Sequence, residues 1–247
     1  MSCSLPPELL DHIIDHLHGD PTALKACCVV AKSWVPRARS HLFARVKFDA
    51  INKPTFEQWM KTFPDPSDSP AHHTRKLTVC GIPVVTSPDV DIGDWIRSFR
   101  NLVDLCLDCR VWKDRDEALI PFYGLSPTVR SLSLTYTPVE VFDLVCSFPL
   151  LEDLALIGIV PRDTVGRCTQ ASSPKLTGSL SLKSSAGVIG RLLDLPNGLH
   201  FTKVVLYFLG EDTRSAMDLV SRCSGTLESL AFHYRSAHTF PSTSTIS

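Results

Sequence analysis

Two pairs of residues have the types and spacing of metal ligands. His12 and His16 are four apart, which would place two imidazoles on one face of a helix. Cys106 and Cys109 form a lone C-x-x-C. Neither pair is completed, because Ile13 stands where a metalloprotease helix has glutamate and no second C-x-x-C exists. We expect no metal site, with the histidines solvated and the cysteines acting as small hydrophobic residues.

Signatures of catalysis and of nucleotide binding are also missing from the sequence. It has no G-x-S-x-G, no P-loop and no G-x-G-x-x-G after a strand pattern. Residues 187–190, Gly-Val-Ile-Gly, predict only a turn into a helix. The sequence therefore predicts a protein that is not an enzyme and uses no cofactor.

The composition is that of a globular protein without a strong electrostatic signature. Of 247 residues, 44% are hydrophobic and 21% charged, and 25 basic against 26 acidic residues give a net charge of −1. This balance argues against partners such as nucleic acid or an anionic membrane. No apolar run reaches the length of a membrane span, and the N-terminus lacks the pattern of a signal peptide. Nine scattered cysteines argue against a disulfide framework, so we expect a reducing compartment, the cytosol or nucleus.

Three short helices are predicted in the first forty or so residues. Apolar residues recur at three- and four-residue steps from Leu9 to Leu17, and Asp20-Pro21 is the start signal of a second helix. A third helix is predicted from about Ser33 to Phe43. So short a segment cannot bury all its large apolar side chains by itself, and something else must cover the remainder.

The order of these residues resembles an F-box. The matching pieces are Leu5-Pro6, Glu8-Leu9-Leu10, Ile13-Ile14, Leu17, Asp20, Leu24, Cys28 to Trp34, and Leu42-Phe43. The resemblance implies that this segment docks on the Skp-type adaptor of a cullin–RING ubiquitin ligase, the SCF complex. Two departures from the pattern are Pro36, which falls within the predicted third helix, and the Cys27-Cys28 pair.

The resemblance also assigns a set of adaptor-binding residues. The stripe on the first helix is wider than one partner helix can cover, so we expect it to serve half as core and half as adaptor contact. Trp34 and Phe43 can be explained nearly as well as core residues, because a three-helix unit needs a core of its own. The expected adaptor-binding residues are Leu5, Pro6, Leu9, Leu10, Ile13, Ile14, Leu17, Leu24, Val29 and Trp34.

A repeating pattern occupies most of the remaining chain. We predict a helical domain at 1–47, a connecting helix and proline-rich loop at 48–70, and about seven repeats at 71–247. The connecting helix is predicted to begin at a capping box of Thr55 and Gln58 and to carry a heavy aromatic face with Phe56, Trp59 and Phe63. Segments of the form apolar-x-x-Leu-x-Leu are centred on Leu77, Leu105, Leu132, Leu154, Leu180, Val204 and Leu230, at intervals of 28, 27, 22, 26, 24 and 26 residues. These intervals match the period of leucine-rich repeats. Helical patterns with apolar residues at i, i+3, i+4 and i+7 lie between several of the strands.

The predicted fold class is therefore α/β, with an N-terminal three-helix module and a curved solenoid of parallel strands inside and helices outside. The pattern resembles the leucine-rich repeats that often follow an F-box, particularly in large fungal families. The asparagine or cysteine that usually follows the strand motif is mostly absent. The last strand is followed only by a polar tail, so we expect either a fragment of a longer protein or a frayed last repeat.

Strand alternation also predicts a target-binding face. Small residues form its centre and mixed charges its sides, an arrangement that could accept a peptide or a protein ridge. A second interpretation stays open, since small residues also suit a tightly curved sheet. The expected target-binding residues are Lys76, Thr78, Asp104, Cys106, Asp108, Ser133, Asp153, Ser181, Lys183, Lys203, Val205, Tyr207 and His233.

These patterns lead to one functional hypothesis and its alternatives. The chain is expected to be a substrate-recognition subunit of an SCF-type ubiquitin ligase, holding a Skp-type adaptor at one end and an unknown target protein on the repeats. The alternative is a leucine-rich-repeat interaction scaffold that acts outside a ligase. A metal enzyme would require metal in the purified protein or activity that depends on His12 and His16.

Overall fold

The computed structural model describes an α/β protein with parallel strands. The described residues are 6–49, 55–80, 92–110, 119–125, 127–136, 141–159, 174–185, 188–195, 197–208 and 213–234. The chain divides into two compact units, residues 1–131 and 132–247. This division differs from the predicted boundaries at residues 47 and 70.

The first unit contains the N-terminal helices and three parallel strands. Strands β1, β2 and β3 are neighbours in chain order and pair residue for residue, with Val46 opposite Leu77 and Leu77 opposite Leu105. The described elements are α1 (Pro7–His16), α2 (Pro21–Val30), a 3-10 turn (Lys32–Trp34), α3 (Val35–Leu42), β1 (Arg45–Asp49), α4 (Phe56–Thr62), a 3-10 turn (Pro70–His73), β2 (Lys76–Cys80), α5 (Ile92–Arg97), β3 (Asp104–Asp108) and a 3-10 turn (Ile120–Gly124).

Local sequence signals explain where these helices begin. The Asp20 carboxylate accepts hydrogen bonds from the backbone N–H groups of Thr22 and Ala23, at 2.9 and 3.0 Å, and so caps α2. The capping box predicted at Thr55 and Gln58 is present at the start of α4. Both start signals are thereby confirmed.

Two details of the N-terminal segment differ from the prediction. Pro36 lies within the third helix as predicted, but the helix begins at Val35 and not near Ser33, because the 3-10 turn Lys32–Trp34 comes first, so Pro36 is its second residue. Proline in a first turn costs no hydrogen bond. Strand β1 is absent from the predicted elements, since its pattern is a single alternation of Val46 and Phe48, yet both side chains are buried and the strand pairs with β2.

Aromatic side chains form the core between β1, α4 and α5. The Phe48 ring lies 4.9 Å from that of Phe56, 5.6 Å from Trp59 and 6.2 Å from Phe99, measured between centroids. Edge-to-face pairs of this kind are favourable beyond the area they bury. The heavy aromatic face predicted for α4 is therefore confirmed, and it anchors the helix against the first strand.

The second unit contains the remaining five strands in chain order. Strands β5 to β8 pair in parallel with a regular register, so that Leu154, Leu180, Val204 and Leu230 lie opposite one another. The elements are β4 (Ser131–Thr135), which begins at the unit boundary, α6 (Val141–Cys146), β5 (Asp153–Ile157), β6 (Ser179–Lys183), α7 (Ile189–Leu193), β7 (Lys203–Phe208), α8 (Thr213–Cys223) and β8 (Ser229–Tyr234).

The predicted alternation is confirmed on every predicted strand but the last. Inward-facing residues of β2 to β7 are buried, each stabilising the fold by roughly 1.5–3 kcal/mol if a full side chain is removed from water. Leu230 and Phe232 of β8 are instead 39% and 50% exposed. A strand at the end of a row has a paired strand on one side only, so its apolar side chains receive less cover.

A shared backbone acceptor links successive strands within each unit. The carbonyl just before a strand accepts hydrogen bonds from two consecutive N–H groups at the start of the next strand. Gly178, for example, accepts from Thr202 at 3.0 Å and from Lys203 at 3.3 Å. The acceptors with this role are Ala44, Arg75, Gly178 and Thr202.

One cysteine differs from the prediction because it forms a disulfide bond. Cys146 is buried and disulfide-bonded, and its partner lies outside the described residues. The cysteines described as free are Cys27, Cys28, Cys80, Cys106, Cys109 and Cys223. Because disulfides persist in oxidising environments, this bond removes the support that the cysteine pattern lent to a reducing compartment.

Among the described helices, none has both the length and the apolarity to cross a membrane.

Gly178, directly before β6, provides a test of how closely the chain approaches Glu152 and Asp153 there. A Cβ at this position would lie 2.5 Å from the Asp153 carboxylate and 3.0 Å from the Glu152 carbonyl oxygen. We expect Gly178→Ala to lower the free energy of unfolding by about 1–3 kcal/mol, because backbone atoms must move to accommodate the methyl group. The measurement is chemical denaturation of the purified chain.

Gly190→Ala is the matched control for this substitution. Gly190 lies in α7, and a methyl group on its Cα would meet no atom of another element within 4 Å. The change should therefore stabilise the protein by about 0.5–1 kcal/mol through helix propensity. Equal effects of the two substitutions would contradict the close approach at Gly178.

Candidate functional site

The apolar stripe of α1 is divided between two environments. Ile14 is 1% exposed, whereas Leu9 and Ile13 are 51% and 49% exposed. The two exposed residues are one helical turn apart and so share a face of α1. Large apolar side chains exposed together mark a candidate interaction surface.

The structure places two of the expected adaptor-binding residues, Ile14 and Leu24, in the core. Both are 1% exposed and form the core of the helical segment with Cys27 and Ala38. A side chain buried in this way cannot contact a partner unless the helices separate. The partly buried residues packed against this core are Leu17, Cys28, Trp34 and Leu42.

The other expected adaptor residues occupy varied positions. Pro6 is exposed and Leu10 is half-buried, whereas Leu5 lies outside the described residues. Val29 is 84% exposed at the end of α2, and the adjacent Val30, which is not among the expected residues, is 65% exposed. A pair of β-branched residues beside a Cys-Cys pair is the sequence signal that could have identified Val30.

An ionic cluster holds α1 against α3. The Asp15 carboxylate accepts hydrogen bonds from Nε and Nη2 of Arg37, both at 2.5 Å, and lies 2.7 Å from Nε2 of His41. The hydrogen bonds from Arg37 and His41 hold the pKa of Asp15 well below its usual range. The same bond to Asp15 raises the pKa of Arg37. Sequence reasoning misses this cluster because Arg37 and His41 are 22 and 26 residues from Asp15.

His12 and His16 lie close together on α1, as their spacing predicts. Their ring centroids are 4.7 Å apart, edge to face, and Nδ1 of His16 is 2.8 Å from the His12 carbonyl oxygen. Within the described part of the chain, no three His, Cys, Asp or Glu residues are grouped so that they could hold a metal ion. Cys109 is buried, whereas Cys106 is half-buried on β3.

The strands present an open face, defined here by the strand side chains that alternate with the buried ones. In the first unit several charges on this face neutralise one another. Nζ of Lys76 lies 2.6 Å from the carboxylate of Asp104, the residue opposite it on β3. Asp108 is paired at 2.6 Å with Arg110, and Thr78 is half-buried.

A groove of about 760 Å³ also lies in the first unit, away from any residue that the sequence singles out. It is lined by both signs of charge, including Asp65, Asp94, Arg97 and Arg100. Arg97 and Asp94 are 2.5 Å apart and form an ion pair. Opposite charges in this balance favour neither an anionic nor a cationic ligand.

The open face of the second unit carries a cationic and aromatic row at the carboxyl ends of its strands. Lys183, Tyr207 and His233 occupy the same register on β6, β7 and β8. The rings of Tyr207 and His233 are stacked, with centroids 4.3 Å apart and planes 9° apart. Nζ of Lys183 lies 6.0 Å from the Tyr207 centroid, within the range of a cation–π contact.

The other side chains on this open face are smaller and less polar than those of the cationic and aromatic row. Ser181 and Val205 lie opposite each other in its central row, where Ser133 is also half-buried. The carboxylate of Asp153 already has two hydrogen-bond donors. Its Oδ1 accepts hydrogen bonds from the backbone N–H and the hydroxyl of Ser179 at 2.6 and 2.7 Å. Lys203 is exposed and forms no ion pair with a described residue.

A left-handed turn terminates three strands of the second unit. Tyr136, Gly158 and Ser184 directly follow β4, β5 and β6 and have φ angles of 53°, 61° and 50°. Each donates its N–H to a carbonyl at the end of the following strand, at 2.7, 2.7 and 3.4 Å. This repeated turn aligns the strand ends and thereby the row that contains Lys183.

Comparisons with known proteins assign no family. No protein-family model matches the sequence, and no curated protein matches it.

Asp15→Asn tests the ionic cluster. Because Asp15 and Arg37 are partly exposed, we expect the substitution to lower the free energy of unfolding at neutral pH by only about 1 kcal/mol. The folded-state pKa of Asp15 lies below its ordinary value of 3.8, so the stabilisation is present above that pH. The difference between wild type and variant should therefore shrink as the pH falls below 3.8, as measured by denaturation at several pH values.

Asp11→Asn is the control on the same helix. Asp11 is exposed and makes no described hydrogen bond, so its substitution should change the free energy of unfolding by less than about 0.5 kcal/mol. A similar loss in both variants would show that general charge balance, and not the contact with Arg37, stabilises the helices.

Proposed function

We propose that this protein is a substrate-recognition subunit of an SCF-type ubiquitin ligase. On this proposal its helical segment binds a Skp-type adaptor, and through it the cullin–RING ligase, while the strands form leucine-rich repeats that bind a target protein. The observation that carries the proposal is the exposure of Leu9 and Ile13 on α1, within the segment whose sequence resembles an F-box.

The energetics of this surface support a partner. Leu9 and Ile13 leave about half of two large aliphatic side chains in water. On the separate helix α2, Val29 and Val30 are also exposed. Each of these side chains would gain roughly 1 kcal/mol or more if an apolar partner removed its remaining surface from water. Ile14 and Leu24 belong to the buried core of the helical segment.

The helical segment is braced in a way that suits docking. The Asp15 cluster and the buried core hold α1 against α3 before any partner arrives. A rigid surface loses less conformational freedom on binding than a mobile one. On this proposal the chain carries no catalysis of its own, because ubiquitin transfer belongs to other subunits. It would act in the cytosol or nucleus, a compartment that rests on the resemblance to an F-box alone, because the disulfide at Cys146 removes the support of the cysteine pattern.

Co-expression with a Skp-type adaptor tests this proposal. We expect the intact chain to co-purify with the adaptor and the Leu9→Asp, Ile13→Asp double variant to lose it, because two carboxylates would be buried without partners. The measurement is the amount of adaptor retained on the tagged chain.

Met217→Asp is the matched control, since Met217 is 61% exposed on α8 in the second unit. It should retain the adaptor in full. If the intact chain retains no adaptor, the ligase proposal fails and the alternative, a repeat scaffold that acts outside a ligase, is favoured.

A further inference from the structure

Charge on the open face of the second unit is unbalanced. Lys183 and Lys203 are exposed, and neither forms an ion pair with a described residue. The nearby carboxylate of Asp153 already accepts two hydrogen bonds from Ser179. In the first unit, by contrast, Lys76 is neutralised by Asp104.

The two lysines also have a defined separation. Lys203 is the first residue of β7 and lies opposite Ser179, whereas Lys183 is the last residue of the neighbouring strand and lies opposite Tyr207. They are thus four residues apart along the strand direction, or about 13 Å at roughly 3.3 Å per residue. An extended peptide advances by the same distance per residue, and its side chains at i and i+4 point to one side.

The surface between the lysines permits such a peptide to approach. Ser181, Val205 and Ala231 occupy the same register and leave no long side chain in the central row. At the Lys183 end, the stacked rings of Tyr207 and His233 continue the same row across β7 and β8. Small side chains between two cations leave room for an extended backbone to approach the strands.

We propose that this surface binds an extended acidic segment of the target protein, with two carboxylates four residues apart that contact Lys183 and Lys203. The inference rests on the proposed function, because it takes the open face to be the target-binding surface. It adds the chemical class of the target, which the sequence leaves unknown.

Short peptides titrated into the isotope-labelled full chain test this proposal by NMR. The probes are acetylated, amidated Glu-Ser-Gly-Ser-Glu, its isomer Ser-Glu-Glu-Gly-Ser, and Gln-Ser-Gly-Ser-Gln. We expect the first peptide to bind about two- to fivefold more tightly than the isomer, which can reach only one lysine, and the third to bind most weakly. Binding of the first peptide should weaken as salt is added.

Variants of the chain assign the binding to the two lysines. Lys183→Ala and Lys203→Ala should each weaken binding of Glu-Ser-Gly-Ser-Glu by about two- to fivefold, which corresponds to one exposed ion pair. Arg45→Ala is the matched control, since Arg45 is exposed on β1 in the first unit. It removes the same charge and should leave the affinity unchanged.

Three results would overturn the proposal: no binding of Glu-Ser-Gly-Ser-Glu, equal affinities for the two glutamate isomers, or an equal loss in Arg45→Ala. The titration contains no adaptor, so its outcome is independent of the co-purification test. If the chain binds the peptide but not the adaptor, the result supports the acidic-peptide surface and contradicts the ligase proposal.

Discussion

The strands depend on one backbone constraint that recurs within each unit. Each shared carbonyl, such as those of Arg75 and Gly178, must accept hydrogen bonds from two N–H groups of the next strand. Each such hydrogen bond contributes roughly 0.5–1.5 kcal/mol, so the start of each such strand is held in place by its neighbour. Thr74, Thr128 and Thr226 reinforce this arrangement, since their hydroxyls donate to the backbone carbonyls of Phe43, Leu102 and Phe201 at 2.7–3.1 Å.

The same register that satisfies the backbone also sorts the side chains. Leu180 and Val204 face inward together, so Ser181 and Val205 must face outward together. The side chains on the open face are therefore aligned by the hydrogen bonds of the sheet alone. The proposed pair of Lys183 and Lys203 is an example, because its spacing follows directly from the pairing of β6 with β7.

The helical segment follows a different principle, in which a small core leaves apolar surface exposed. Ile14, Leu24, Cys27 and Ala38 form the buried core, whereas Leu9 and Ile13 of the α1 stripe remain about half exposed. The Asp15 cluster compensates for this small core by joining α1 to α3. Exposed apolar side chains on a braced scaffold are the physical basis of the adaptor proposal.

Sequence alone determined the elements whose signals are local and periodic. The seven strands centred on Leu77 to Leu230 and the caps at Asp20 and Thr55 were all predictable, because alternation and capping depend on neighbours in the chain. Only the tertiary structure decided which face of α1 is buried, that β1 joins the sheet, and that Asp15 contacts Arg37 and His41. These outcomes depend on packing between residues distant in sequence, for which a single sequence carries no periodic signal.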